Sequence, residues 1–182
     1  ERLLGSVVGM HGDDQGLIMP PSIAPFQVVL FPVAVHVDEN VLPAIRGLAD
    51  TLVSAGFRVK LDERDVRPGV KHYDWEIKGA PIRLELGPRD LESGNCVLSL
   101  RTGGKEEVPI EGISQTISSR LESISDELRN RSSVHIESLI RPFPGVISKG
   151  DTWELVGEIE DGIIYEMAFD GNDSDAEVLE KL

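Results

Sequence analysis

The stretch that decides the fold is residues 59–90, VKLDERDVRPGVKHYDWEIKGAPIRLELGPRD. Val59 and Leu61 alternate with Lys60 and Asp62, the pattern of a strand with one buried face. Residues 63–70 are dense in charge and close on Pro68-Gly69, a turn signal. Residues 71–78 suit a short helix that Gly79 stops as a left-handed cap. Pro81 leads into Ile82-Arg83-Leu84-Glu85-Leu86, a strict period-2 strand that Gly87-Pro88 ends. Two strands joined by a charged loop make a platform whose rim suits polar recognition.

Charge sets this stretch apart. The chain carries 18 Lys and Arg against 32 Asp and Glu, a net of −14. Residues 57–90 hold 8 basic and 7 acidic side chains, so the rest carries −15. A near-neutral island in an acidic protein is a candidate polyanion site. Charge alone still favours the plainer reading, a solvated loop with local ion pairs.

The residues themselves carry a stronger signal. Arg64-Asp65, Pro68-Gly69-Val70-Lys71, Trp75-Glu76-Ile77-Lys78-Gly79, Pro81-Ile82-Arg83 and Leu86-Gly87-Pro88-Arg89-Asp90 resemble the anticodon-binding domain of prolyl-tRNA synthetases. The archaeal and eukaryotic form is the better match, and order and spacing hold without a gap. Val70 stands where the family has a bulky aromatic, and His72 where it has Phe. Both departures touch packing in the loop and leave the charged positions intact.

The rest of the chain fits an α/β fold. Residues 27–35 (QVVLFPVAV) read as a strand buried on both faces. Asp38 is placed to cap a helix with Val41, Ile45, Leu48, Leu52 and Val53 on its apolar side, and Gly56 ends it. Strand, helix, strand with short links predicts a right-handed βαβ unit with parallel strands. Residues 95–100 supply another strand, Gly103-Gly104 a turn, and 106–110 a charged edge strand. The expected domain is a mixed sheet of about five strands with flanking helices. Residues 113–140 form one helical tract with Ile117, Leu121, Ile124 and Leu128 on a stripe. Beyond Phe143 begins part of a small α+β domain.

The chain divides accordingly into residues 1–25, 26–128 and 129–182. The first piece has apolar Leu3, Leu4, Val7 and Val8 and reads as a buried strand, followed by a polar turn and a Pro20-Pro21 linker. The resemblance makes it the end of a class II catalytic domain, with Arg2 at the arginine of motif 3, which binds ATP phosphates. A guanidinium suits that task through paired hydrogen bonds. Without the upstream motifs the chain is expected to be catalytically inactive alone. It has no nucleophile paired with a base and no phosphate loop. The parent enzyme would use ATP and Mg, join proline to tRNA(Pro), and work as a homodimer. A rival reading is a stand-alone accessory module that borrows this fold for protein assembly. The lead-in from Arg2 to Pro21 argues against it.

The proposed readers of the anticodon are Arg64, Lys71, Glu76, Lys78, Arg83 and Glu85. Two guanines are common to proline anticodons. An unpaired guanine offers O6 and N7 to a cation and its N1–H and N2–H to a carboxylate. Glu85 and Arg83 share a strand face, so part of that pair serves structure. Apolar runs are too short for a membrane span and the first residues lack a signal-peptide pattern, which predicts a cytoplasmic, non-membrane protein. Cys96, the single cysteine, excludes an internal disulfide and a thiolate cage, and its apolar neighbours predict a buried thiol.

Metal is the last expectation. The resembling family often binds zinc in its last domain through two cysteines five residues apart, where this chain has Asp170 and Asp175. Structural zinc prefers thiolate and imidazole shells, so this passage reads as a metal-free acidic turn. Elemental analysis after dialysis should therefore find no stoichiometric zinc. One zinc per chain, with stability lost on chelation, would show that the carboxylates took over the site.

Overall fold

A computed structural model describes residues 2–143 and 160–166, with the backbone alone at 145–146 and 154–155. The chain forms two compact units, residues 1–130 and 131–182.

The first unit is built on a five-stranded mixed sheet in the order β2-β1-β3-β4-β5. Strand β1 (Val28–Pro32) is buried along its whole length, as expected of an uninterrupted β-branched run. Helix α2 (Val41–Ser54) returns the chain to β2 (Val59–Leu61), which pairs parallel to β1 with Val28 opposite Val59. Helix α3 (Pro68–Ile77) then crosses to β3 (Ile82–Leu86), parallel to β1 on its other side with Val28 opposite Ile82. A short helix, α4 (Pro88–Ser93), precedes β4 (Asn95–Leu100), and β5 (Lys105–Pro109) forms the far edge. Both β3–β4 and β4–β5 are antiparallel. The expected mixed sheet of five strands is thus present, with β5 as its charged edge.

One face of the sheet holds the main core. Val28, Leu30, Ile82, Leu84, Leu86, Cys96, Leu98 and Val108 point into it. Helix α2 covers them with Val41, Ile45, Leu48, Ala49 and Leu52. Helix α5 (Ile113–Leu139) adds Ile113, Ile117, Leu121, Ile124 and Leu128, the stripe that its period predicts. Burial pushes the Cys96 thiol up to about 12, so it is an inert apolar filler. The opposite face has a smaller apolar group, Val29, Phe31, Trp75 and Ala80, where α3 lies on the sheet.

Several expectations need correction. Residues expected to form a buried strand near the N-terminus form α1 (Arg2–His11), with Leu3, Leu4, Val8 and Met10 exposed. Leu3, Leu4, Val7 and Val8 repeat at a helical interval too, and a segment without a partner strand meets its backbone hydrogen bonds most simply in a helix. Asp38 does not cap α2. Asn40 is the N-cap, and the Asp38 carboxylate accepts from the Asn40 N–H and side-chain amide, 2.9 Å each. Val53 lies outside the apolar stripe and is exposed. Pro68 is no turn residue but opens α3, where its missing N–H costs no hydrogen bond. The sequence reading has no helix at 88–93. Pro88 opens it, the Asp90 carboxylate accepts from the Gly87 N–H at 2.8 Å, and Gly94 ends it left-handed at φ 73°.

The second unit contains β6 (Ile140–Pro142) parallel to β9 (Ile164–Glu166), and β7 (Gly145–Val146) antiparallel to β8 (Glu154–Leu155). Asp170 and Asp175 lie outside the described residues. Among the described residues no helix is long and apolar enough to cross a membrane, and no three His, Cys, Asp or Glu side chains gather as a metal-binding group.

The burial pattern gives a direct test. Leu84 is fully buried in the centre of the sheet, whereas Val53 is 56% exposed on α2. Leu84→Ala should cost about 2–5 kcal/mol in urea unfolding, and Val53→Ala within about 0.5 kcal/mol of wild type. Similar losses for both would mean that the α2 stripe is assigned to the wrong side.

Candidate nucleic-acid interface

Strand registry lines up the polar residues of the second sheet face. Arg83 sits opposite Ser99, and Ser99 opposite Lys105, so Arg83, Ser99 and Lys105 form one row. Phe31, Glu85, Val97 and Glu107 form the next row. Side chains alternate faces along a strand, so these rows look away from the main core. Helix α3 lies over β1 and brings His72 and Glu76, one turn apart, to the edge of this face.

The residues interlock. Arg83, only 5% exposed, places Nη1 2.9 Å from Glu76 Oε1 and donates to the His72 carbonyl at 3.3 Å. Its Nε, also buried, has no hydrogen-bond partner among the described residues. Glu85 Oε1 lies 2.5 Å from His72 Nε2 and accepts from Lys105 Nζ at 3.0 Å. The His72 ring also meets Phe31 edge-on, with centroids 4.8 Å apart. Burial pushes the Glu85 carboxyl up, and the hydrogen bonds from His72 and Lys105 outweigh that, leaving it below the usual range. The result is a strip of alternating charge, Glu76–Arg83 beside His72–Glu85–Lys105, open to solvent at Lys105 and Glu76.

A second group anchors α3 from below. Asp62, 3% exposed at the end of β2, accepts from Trp75 Nε1 at 2.8 Å. It also takes a two-point contact from Arg64, whose Nε and Nη2 donate at 2.9 and 2.7 Å. Burial pushes the Asp62 carboxyl up, but the bonds from Arg64, from Trp75 and from the Arg64 backbone overcome it and hold the group far below its ordinary range. Arg64 uses its remaining end on Asp74, 2.7 Å away, and these two carboxylates raise its already high pKa. Lys71 is also buried, and its Nζ donates to the Asp62 carbonyl at 3.2 Å. Desolvation lowers the Lys71 pKa.

The six residues singled out from the sequence therefore occupy different situations. Glu76 and Lys78 are accessible, and the Lys78 ammonium lies 4.6 Å from the centre of the Trp75 ring. Arg64 is half-exposed but fully engaged by Asp62 and Asp74. Arg83 and Glu85 belong to the charged strip, and Lys71 sits beneath α3. Beside Lys78 opens an apolar cleft of about 210 Å³ lined by Met19, Pro25, Phe26, Trp75 and Ala80. The sequence reading missed His72 and Lys105. His72 precedes Glu76 by one helical turn, a usable signal, but Lys105 reaches Glu85 only through strand pairing that no local pattern reveals. Arg2 is exposed on α1.

The fold agrees with sequence comparisons. A family model described as "Anticodon binding domain" matches residues 27–120, and the chain belongs to that family. It is 45% identical over 139 residues to a proline–tRNA ligase of Methanoregula boonei, covering 76% of this chain and 29% of that protein. Proline–tRNA ligases of Methanothermobacter thermautotrophicus and Thermococcus kodakarensis are each 45% identical over 143 residues, 78% of this chain and 30% of theirs. The chain thus spans about 30% of the length of the curated relatives it matches.

Asp62 gives this subsection its test. A depressed folded pKa contributes stability that is complete above the ordinary carboxylate range and is lost as pH falls through the folded value. Urea unfolding of wild type should therefore weaken on acidification below about pH 4 more than that of Asp62→Asn. At neutral pH the same substitution should cost about 1–3 kcal/mol. Parallel pH profiles for the two proteins would show that Asp62 does not carry this stability.

Proposed function

We propose that this chain reads the anticodon of tRNA(Pro) as part of a prolyl-tRNA synthetase. The parent enzyme joins proline to that tRNA with ATP and Mg, in the cytoplasm and as a homodimer. In this reading residues 1–25 are the tail of the catalytic domain and its linker, 26–128 the anticodon-binding domain, and 129–182 part of the last domain. Arg2 belongs to the ATP site of the parent, and this portion holds no zinc.

The observation that carries the reading is the pairing of Glu76 with Arg83 at the edge of α3, with Lys78 exposed two residues on. A carboxylate accepts from the N1–H and N2–H of an unpaired guanine, and a cation donates to its O6 and N7. Both chemistries are here within one helical turn. The unmade bond at Arg83 Nε is one that an acceptor entering beside Glu76 would complete. Glu76 and Lys78 make the direct contacts, with Arg64 at the rim. Lys71, Arg83 and Glu85 fix the surface from beneath, where burial already commits them. Because Arg83 and Lys105 in the strip already have carboxylate partners, RNA must compete for them. This favours discrimination over raw affinity.

Lys78→Ala tests the reading. On anticodon stem-loops with the two proline guanines, the loss should be about 1–3 kcal/mol, with discrimination against an altered guanine reduced. Binding of all loops should fall as salt rises, because the cations of the surface displace counterions from the phosphates. Equal binding of matched and altered loops by the wild type would show that this surface does not read bases.

A further inference from the structure

Helix α3 ends against a segment far away in sequence. The Leu17 N–H donates to the Ile77 carbonyl at 3.0 Å, and the Met19 N–H to that of Gly79 at 3.1 Å. Residues 17–19 thus run alongside the end of α3 and satisfy carbonyls that a helix C-terminus leaves without partners. The approach is close enough to require glycine on both sides. A Cβ on Gly79, at φ 73°, would lie 2.5 Å from the Leu17 oxygen, and one on Gly16, at φ 122°, 2.7 Å from the Ile77 Cα.

Arg101 locks this junction. It follows β4, and its side chain is 1% exposed. Its Nε donates to the carbonyls of Leu17 at 3.0 Å and Glu76 at 3.1 Å, and its Nη2 to that of Gly16 at 3.2 Å. Asp13 faces the two Nη atoms and supplies the counter-charge, with Nη1 to Oδ2 at 2.9 Å. A buried guanidinium without that carboxylate would carry an uncompensated charge. The Arg101 backbone N–H is itself tied to the Pro81 carbonyl at 2.9 Å, just ahead of β3. One side chain therefore joins the lead-in turn, the last turn of α3 and the end of β4.

The residue it grips is Glu76. The backbone carbonyl of Glu76 is held by Arg101, while its carboxylate meets Arg83 in the charged strip. We infer that Arg101, with Asp13 as its counter-ion, is a positioning residue for base reading, holding the last turn of α3 so that Glu76 and Lys78 meet the RNA in fixed register. This rests on the proposed reading of the strip as the guanine site. A corollary is that residues 13–19, which include none of the six candidate readers, take part in specificity. Seating of that segment and recognition of the matched anticodon are linked, each favouring the other.

The test uses the 182-residue chain and two fluorescent anticodon stem-loops, one with both proline guanines and one with a guanine changed to adenine. Asp13→Asn removes the counter-ion, and Gly16→Ala pushes the turn off α3 without touching a charge. Each should lower the ratio of matched to altered affinity roughly tenfold, by weakening the matched loop alone. Adding Glu76→Ala to either variant should cost no further discrimination, because both changes act through the same contact. A ratio that stays at the wild-type value in both variants, whatever their melting temperatures, overturns the inference and leaves Arg101 a purely structural clamp. Amide exchange in the unmodified chain gives an answer that does not depend on any variant folding. The matched loop should slow exchange at Leu17 and Met19 more than the altered loop does, and equal slowing also overturns it. Wild type that does not discriminate at all instead brings down the reading of the site, and the inference with it.

Discussion

A buried carboxylate holds helix α3 to the sheet of this domain. Helix α3 meets the sheet through a small apolar group, Val29, Phe31, Trp75 and Ala80, too little to fix its position alone. Asp62 adds what the apolar contact lacks. It binds the indole of Trp75 and the fork of Arg64, while its own carbonyl takes the Lys71 ammonium. A carboxylate left without such partners in a buried place would cost several kcal/mol. Asp62, Arg64, Lys71 and Trp75 therefore stand or fall as a unit, and the placement of Glu76 and Lys78 follows from them.

The two faces of the sheet do different work with the same strands. Leu84 and Leu86 on β3 join a broad apolar core under α2 and α5, whereas Arg83 and Glu85, alternating with them, meet α3, and Glu85 also meets Lys105 of β5. Because α3 covers β1 more than β4 and β5, the second face is closed at Phe31 and open at Lys105. Charges at the boundary are half-desolvated, where hydrogen-bond geometry counts for more than in water. The strip is locally balanced, although the chain as a whole carries a net charge of −14.

Much of this was legible in the sequence, for identifiable reasons. Residues 82–86 announce a strand by strict alternation, and 113–128 announce a helix by a stripe of Ile and Leu. Both patterns depend only on neighbours in the chain. What alternation cannot tell is whether the polar side of β3 meets water or a second layer. The structure gives a second layer, with Arg83 buried like its apolar neighbours Ile82 and Leu84, though slightly less completely. Lys71 has the charge expected of a reader, yet its backbone position turns it under the helix. His72 and Lys105 complete the strip through Glu85, a meeting set by long-range pairing. Pro88 and Asp90 carry the start signals of helix α4, but Gly87-Pro88 also reads as a strand end, and that reading hides the helix. Leu3 and Leu4 misled because a short apolar run fits either period, and only tertiary partners decide between them.

Strand order has a consequence for how the domain is made. The neighbours of β1 are β2 and β3, and the residues paired with Val28 are Val59 and Ile82. Strands β3, β4 and β5, by contrast, meet through short connections, with Leu98 opposite Glu106. On a ribosome β1 is the first strand of the sheet to be completed and waits longest for its second neighbour, which ends at Leu86. Until then its hydrogen-bonding edge and its five apolar side chains lack their final cover, and loop closure over such separations is slow. The burden of keeping the nascent chain from aggregating falls on a single early segment, and helix α2, which follows it directly, is the first element able to shield it.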